Sequence, residues 1–163
     1  MPTANADLAL VLEEALVAYV KTFQVEGSSL LDRYILEGHR DEAIPADAGT
    51  KGYVVITATN MGGPLAAAGN YELDVQIKAV VSLDDGGMDS LSPMMRTLVA
   101  IFAPANTENA ENTPIVLEAL NAVDGLGVSC FEFDHGARTK EGRSSETRRH
   151  GNTIPYKFHA HLR

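Results

Sequence analysis

The sequence predicts an α+β protein, in which an antiparallel sheet of about four strands packs against two or three helices in two layers. Three observations indicate this class: an amphipathic stretch near the amino end, a long stretch of strictly alternating residues, and a second amphipathic stretch that separates early strands from late ones. The chain has 163 residues, a length at which one domain with one core is usual. We therefore expect residues 1–163 to form a single domain.

The first element is predicted to be a helix over residues 5–23. Apolar side chains recur there at three- and four-residue steps, with Glu13 and Glu14 between them. Asn5 is suited to cap this helix, and Gly27 follows its end.

The first strands are expected in the next part of the chain. Residues 28–38 fit a short helix or a strand equally well, and residues 39–52 are predicted to be a loop rich in Asp, Ala and Gly. Residues 53–59 are β-branched and apolar, which predicts a strand. Residues 60–69 contain three glycines and a proline and are predicted to be a linker.

The clearest strand signal lies at residues 70–82, where apolar and polar side chains alternate. A period of two over this length predicts an antiparallel strand with one solvated face. Residues 89–102 are predicted to form a helix with Pro93 in its first turn, and residues 115–123 a short third helix.

Two late strands are predicted, at residues 125–134 and 152–162. Because Pro155 has no amide hydrogen, we expect the last strand to lie at an edge of the sheet or to have Pro155 near its beginning. Between these strands lies the basic segment, residues 135–151, which lacks apolar periodicity and is predicted to be a long exposed hairpin loop. The predicted core residues of the whole chain are Leu12, Leu16, Tyr19, Leu73, Val75, Ile77, Leu98, Phe131, Tyr156 and Phe158.

Charge is distributed unevenly along the chain. The formal net charge of −9 combines −14 in residues 1–137 with +3 in residues 138–150 and +2 in the last 13 residues. The acidic body argues against a surface that grips nucleic acid through its phosphates, because such binding requires clustered cations. The basic segment also lacks the aromatic residues on which single-stranded bases stack. Its cations are Arg138, Lys140, Arg143, Arg148 and Arg149.

Two interpretations of the basic segment stay open. It is either a solvated loop or a tether that docks on the acidic surface of a neighbouring copy, a charge complementarity that favours self-assembly.

Candidate catalytic and metal-binding residues are few. His159 and His161 are two residues apart on a strand and therefore project from one face, a spacing that can hold a metal if a third ligand is added by His135, Asp134 or Glu132. The simpler interpretation places both histidines on a solvated strand face. Cys130 lies in an apolar strand without an activating cation, so we expect a buried core thiol rather than a nucleophile.

No nucleotide-binding glycine motif, nucleophile elbow or HExxH motif occurs in the sequence. We therefore expect no enzyme activity and no cofactor. The single cysteine excludes an intrachain disulfide framework, and no stretch approaches the roughly 20 apolar residues that span a bilayer. We expect a soluble protein of a reducing compartment, without a membrane partner.

Four stretches of the chain define an order of elements with characteristic residue patterns. The first is an amphipathic helix, LALVLEEALVAYVKTF, which precedes a strand, and the second is a long alternating strand, NYELDVQIKAVVSLDD. The third is a helix, MDSLSPMMRTLVAIF, and the fourth is the final stretch, GNTIPYKFHAHLR, which has aromatic and basic residues. In this order the chain resembles the tail-terminator and tail-completion (neck) proteins of tailed bacteriophages.

The resemblance implies a non-enzymatic structural role in a virion, with assembly in the host cytoplasm. Such subunits form a ring, commonly of six copies, which caps the tail tube, joins it to the head connector and leaves a channel for DNA. The implied partners are other copies of the chain, tail-tube and connector proteins, and DNA that passes without specific binding. The family has no catalytic residues.

Contacts between subunits are expected in two loops and a linker. The candidate interface residues are Arg40, Asp41, Glu42 and Asp47 in the early loop, the glycine-rich linker at 62–69, and the five cations of the basic segment. Two alternatives stay open: a small metal-binding protein or enzyme that uses His135, His159 and His161, and a virion protein similar to a tail tube.

Overall fold

A computed structural model of the chain describes residues 4–38, 52–65, 70–82, 88–102, 112–134, 141–144 and 149–163. In these residues the elements are, in order, α1 (Ala4–Lys21), β1 (Tyr34–Glu37), β2 (Tyr53–Leu65), β3 (Asn70–Ser82), α2 (Met88–Ile101), α3 (Asn112–Asn121), β4 (Leu126–Phe133), β5 (Glu141–Ser144) and β6 (Arg149–Leu162). The strands form one sheet in the order β1-β2-β3-β6-β4, and β5 pairs with β6. The helices pack on this sheet, which confirms the predicted α+β class. None of the described helices has the length and apolar character needed to cross a membrane.

The sheet differs from the prediction in strand number and in one strand direction. It has six strands in the described residues rather than about four, and β1 pairs with β2 in parallel, from Tyr34 opposite Tyr53 to Glu37 opposite Ile56. A parallel pair needs a long connection between its strands, and the chain between β1 and β2 supplies it. The turns before β1 are held by the side chain of Gln24, whose Nε2 donates to the carbonyl oxygens of Leu30 (2.9 Å) and Arg33 (2.7 Å).

β2 is longer than the predicted strand at residues 53–59. It continues to Leu65 through residues that composition marked as linker, and pairs there with β3, with Pro64 opposite Tyr71. The pairing register shifts between Asn60 and Pro64. Such an irregularity lets a strand contain residues that a regular ladder would disfavour.

The placement of Pro155 corrects the prediction for the last strand. β6 lies between β3 and β4, and Pro155 is in its middle, opposite Gln76 of β3. The carbonyl oxygen of Pro155 accepts a hydrogen bond from the amide of Asp134 at 3.1 Å, so its nitrogen also points toward the β4 side. Because β4 ends at Phe133, the proline lies where the ladder stops.

The core lies between the helices and one face of the sheet, and every predicted core residue is buried. Its aromatic centre is Phe102, which follows α2. The ring centroid of Phe102 lies 5.8 Å from that of Tyr19 in α1 and 5.5 Å from that of Tyr156 in β6. Phe131 of β4 stacks on Phe158 of β6 with centroids 5.0 Å apart. These contacts join both layers through aromatic rings.

Candidate assembly surface

The sheet has one face that the helices do not cover, which we call the outer face. On β3 the alternation buries Leu73, Val75 and Ile77 in the core. The opposite side chains of the same strand, at positions 72, 74, 76 and 78, belong to the outer face. The solvated face predicted for residues 70–82 is therefore present at these four positions, whereas Val80 on the same face is buried in a small apolar cluster with Tyr53.

Strand register brings charged side chains of three strands together on the outer face. Asp74 of β3 lies opposite Lys157 of β6, and Lys157 lies opposite Glu132 of β4. Glu72 is one outer position further along β3, and Asp134 follows the end of β4. We call the four carboxylates at positions 72, 74, 132 and 134 the acidic patch.

Lys157 is the cation at the centre of the acidic patch. Its Nζ lies 3.3 Å from Oε1 of Glu72, and each of these side chains is 34% exposed. The hydrogen bond and charge of Glu72, followed by the charges of Asp134 and Asp74, raise the pKa of Lys157. The patch and this lysine together have a formal charge of −3, so one ammonium does not neutralise the carboxylates around it.

Asp74 has the least satisfied carboxylate of the acidic patch. Its Oδ1 is buried and has no hydrogen-bond partner among the described residues. Partial burial is the main cause that raises the pKa of Asp74, and the negative charge of Asp134 adds to it, whereas Lys157 acts in the opposite direction. A cation from another molecule at the exposed part of the acidic patch would offset its excess negative charge.

Seven of the predicted interface residues lie outside the described residues: Arg40, Asp41, Glu42, Asp47, Arg138, Lys140 and Arg148. The backbones of the other two belong to a hairpin formed by β5 and the start of β6. Arg143 pairs with His150, and Arg149 pairs with Ser144. The basic segment, predicted to be a hairpin loop throughout, therefore contains paired strands in its described part.

The hairpin cations and the acidic patch of one chain are far apart. Arg149 and Lys157 are separated by eight positions along β6, which corresponds to roughly 26 Å at the usual rise of a strand. Charge interactions at physiological ionic strength are screened over about 8 Å. The backbone of Arg149 therefore lies well beyond the screening length from the backbone of Lys157.

The histidines of the metal hypothesis are not joined by further ligands in the described structure. His159 lies opposite Glu72 on one side and Cys130 on the other, and a side chain added at Gly127 would collide with the imidazole of His161. His135 lies outside the described residues. Among the residues that the structure describes, no group of three or more His, Cys, Asp or Glu is arranged to hold a metal ion.

Cys130 is exposed, so the prediction of a buried core thiol is wrong. The cause is a register shift in β4, where Val128 lies opposite Ala160 and Cys130 opposite His159, with Ser129 as the extra residue. After this bulge both Ser129 and Cys130 are exposed. Partial desolvation and the charge of Glu132 raise the pKa of the Cys130 thiol, the opposite of what a cysteine nucleophile requires.

The helix layer has an apolar groove of about 470 Å³ between its helices. Beside it, Val99 of α2 and Ile115 of α3 are about half exposed. The described residues that line the groove are Tyr19, Phe23, Arg96, Thr97, Ala100, Ile101 and Ile115. Its described lining offers apolar contact area with one cation, Arg96, and one phenol, Tyr19.

The acidic patch was not predicted from the sequence, although part of its signal was visible. Alternation places Glu72 and Asp74 on one face of a strand, and it places Lys157 on the polar face of the last strand. The missing information was the neighbour relation, because the register that sets Lys157 between Asp74 and Glu132 depends on the order of strands in the sheet.

Comparisons with known proteins find similar structures but no similar sequence. No family model and no curated protein sequence matches the chain. Among solved structures, the chain is similar to one described as "Virion of native gene transfer agent (GTA) particle", with 11% sequence identity and a TM-score of 0.45. The alignment covers 92% of this chain and 97% of that chain.

Proposed function

We propose that this chain is a non-enzymatic structural subunit of a phage-like virion, which assembles in the host cytoplasm. In this proposal it acts as a tail-terminator or neck protein and forms a ring at the head–tail junction around the DNA channel. The order of elements that resembles this family supports the class. The observation that carries the assembly mode is the acidic patch, whose formal negative charge exceeds that of Lys157 among the residues that the structure describes.

The partner proposed for the acidic patch is the basic segment of a neighbouring copy. The segment has five cations, and its described hairpin is separated from the patch of the same chain by far more than the screening length. A contact between two different surfaces of identical chains is head-to-tail, and it closes into a ring when the rotation per copy allows. Charge pairing of this kind mainly sets orientation and register.

The same charge distribution suits a channel for DNA. Residues 1–137 have a net charge of −14, and a surface of this sign repels phosphates rather than holding them. DNA would then move past the ring without specific binding. Tail-tube and connector proteins are the other proposed neighbours.

The first experiment measures the mass of the purified protein by light scattering and images it by negative stain. Closed rings with a central hole wide enough for duplex DNA are expected. Extended tubes would instead favour the alternative of a tail-tube-like protein, and a monomer at all concentrations would contradict self-assembly.

A charge-exchange experiment tests the contact itself. Substitution is preferable to deletion, because β5 and the start of β6 lie inside the basic segment. The variant Arg143→Glu/Arg149→Glu has an acidic hairpin, and the variant Asp74→Lys/Glu132→Lys has a basic patch. Each variant alone should assemble at least about tenfold more weakly, since like charges meet at the contact.

Mixing the two variants should restore assembly, because each hairpin then meets a patch of opposite charge. The matched control is Glu118→Lys, which alters an exposed carboxylate on α3 in the helix layer and should not affect assembly. If the mixture fails to assemble while both variants are folded, or if neither variant is weakened, the proposed contact is wrong.

The metal-binding alternative is tested separately. Metal analysis of protein purified without a histidine tag would favour it if a stoichiometric transition metal were found and were lost in a His159→Ala/His161→Ala variant.

A further inference from the structure

Two helix side chains satisfy backbone groups near opposite sides of the sheet, one on β2 beyond its pairing with the edge strand β1 and one on the edge strand β4. Glu13 of α1 accepts a hydrogen bond from the backbone amide of Ala58 in β2, with 3.0 Å between Oε2 and N. Asn121 of α3 exchanges two hydrogen bonds with Val128 of β4: Nδ2 donates to the Val128 carbonyl oxygen at 3.0 Å, and the Val128 amide donates to Oδ1 at 2.7 Å.

On the β2 side, Glu13 begins to act where strand pairing stops. In the described residues, which end here at Gly38, the last backbone hydrogen bond beside β1 is donated by the amide of Gly38 to the carbonyl oxygen of Ile56 at 2.9 Å. Ala58 is the next residue of β2 whose polar groups point to this side. The carboxylate of Glu13 takes the position that a further β1 residue would have taken. The side chain of Glu13 is only 1% exposed, and its hydrogen bond to Ala58 provides one polar partner for this buried carboxyl group.

On the β4 side, Asn121 imitates a neighbouring strand. β4 has β6 on one side, and among the described residues no strand lies on the other. The side-chain amide of Asn121 supplies one donor and one acceptor, as a backbone residue of an added strand would. It therefore occupies both polar groups of Val128 on the open side.

We propose that Glu13 and Asn121 are edge locks, which prevent a second copy of this chain from joining its sheet to this one edge to edge. Unpaired strand edges are templates for pairing between chains, and natural proteins cover them with helices or polar side chains. The partner that the locks exclude is a β-strand of another copy. This inference does not depend on the proposed ring.

The test compares variants that open an edge with neighbouring variants that do not. Asn121→Ala opens the β4 side, and Glu118→Ala on the same helix is its control. Glu13→Ala opens the β2 side, and Glu14→Ala is its control, since Glu118 and Glu14 are both exposed. We expect the two opened variants to form species larger than those of the wild type, growing with concentration in sedimentation and showing an infrared signal of intermolecular β-structure.

A role limited to anchoring the helices would lower stability without changing association. Folded Asn121→Ala and Glu13→Ala proteins with the same mass distribution as the wild type and the controls would therefore overturn the proposal. Asn121→Asp is a milder variant that keeps the acceptor for the Val128 amide and loses the donor, and an intermediate degree of association is expected.

Hydrogen exchange of the wild-type protein gives a test that needs no variant. The amides of Ala58 and Val128 should exchange roughly three- to tenfold more slowly than they would without their side-chain partners, a factor that corresponds to one net hydrogen bond. Asn121→Asp should keep the protection of Val128. If the amides of Ala58 and Val128 in the wild type exchanged at the rate of unprotected loop amides, the proposal of edge locks would be overturned.

Discussion

Replacing Asp74 by Asn should stabilise the protein at neutral pH. The folded state raises the pKa of Asp74, mainly by partial burial, so the folded chain disfavours the charged carboxylate more than the unfolded chain does. The sign follows from the linkage between proton binding and folding. The unfavourable contribution of Asp74 to the free energy of unfolding is absent below the pKa of the unfolded chain, about 3.9. It grows as pH rises from that value to the raised pKa of the folded chain, and it is complete above the raised pKa. Asn stays neutral throughout, so its advantage appears over this same interval as pH rises.

The size of the effect follows from three contributions around Asp74. Asn keeps a polar atom without a described partner at the buried position of Oδ1, so the cost of an unsatisfied buried atom remains, and the gain comes from removing the charge of a partly solvated side chain. Repulsion from Asp134 and Glu72 is partly offset by attraction to Lys157, and each such solvated pair is worth roughly 0.2–1 kcal/mol after screening. A gain of about 1 kcal/mol is therefore expected, or about 2–4 °C in the midpoint of thermal unfolding for a chain of this size.

The assay is thermal and urea unfolding at pH 3 and pH 7, at concentrations where the protein is monomeric. Asp74→Asn should exceed the wild type at pH 7 and match it at pH 3. Asp124→Asn, in the exposed turn after α3, is the matched control and should stay within about 0.5 kcal/mol of the wild type. A loss of stability in Asp74→Asn at pH 7 would mean that the carboxylate is already satisfied, and the reasoning about the acidic patch would fail.

Three further predictions concern the core, the exposed thiol and the last residue. Phe102→Ala should lower the free energy of unfolding by about 3–5 kcal/mol, because its buried ring contacts both layers. Val99→Ala in the adjoining helix α2 should change this free energy by less than about 1 kcal/mol in urea titrations. Similar losses in the two variants would contradict the core assignment. Cys130 should react with iodoacetamide at pH 7 more slowly than free cysteine, because its raised pKa lowers the thiolate fraction. Glu132→Gln should accelerate the reaction. A wild-type reaction faster than that of free cysteine would refute this prediction. Arg163→Ala should lower the free energy of unfolding by about 0.5–1 kcal/mol in thermal unfolding, since Nη2 donates to the Asn121 and Val123 carbonyl oxygens at 2.6 and 3.1 Å. An unchanged unfolding midpoint would show that these hydrogen bonds do not add to stability.

Features that depend on one segment were predictable from the sequence. The strand at 70–82 has the predicted bounds because its alternation is a local property that matches the pleat. The first helix is close to its predicted range for a similar reason: its apolar stripe follows the helical period. The buried core residues follow directly from these two periods.

Features that depend on neighbouring strands were not predictable. The position of Pro155 in an interior strand is tolerated because β4 ends beside it, which no pattern within residues 152–162 contains. Cys130 is exposed because of a bulge that shifts two consecutive side chains outward. The parallel pairing of β1 depends on where a long connection returns the chain. For the same reason the acidic patch was missed: its residues come from three strands that meet only through the register.

The surfaces left for contact between copies follow from how the sheet is covered. Helices pack on the inner face, and side chains of α1 and α3 occupy backbone groups at the two sides of the sheet. The outer face is the remaining broad surface of the described sheet, and it is there that Asp74 keeps a carboxylate that lowers the stability of the isolated chain. In the proposed assembly, a cation from a neighbouring copy would offset the excess negative charge around this group. The basic segment, with five cations in a chain whose remaining body is acidic, is the part of a second copy with the charge to do so.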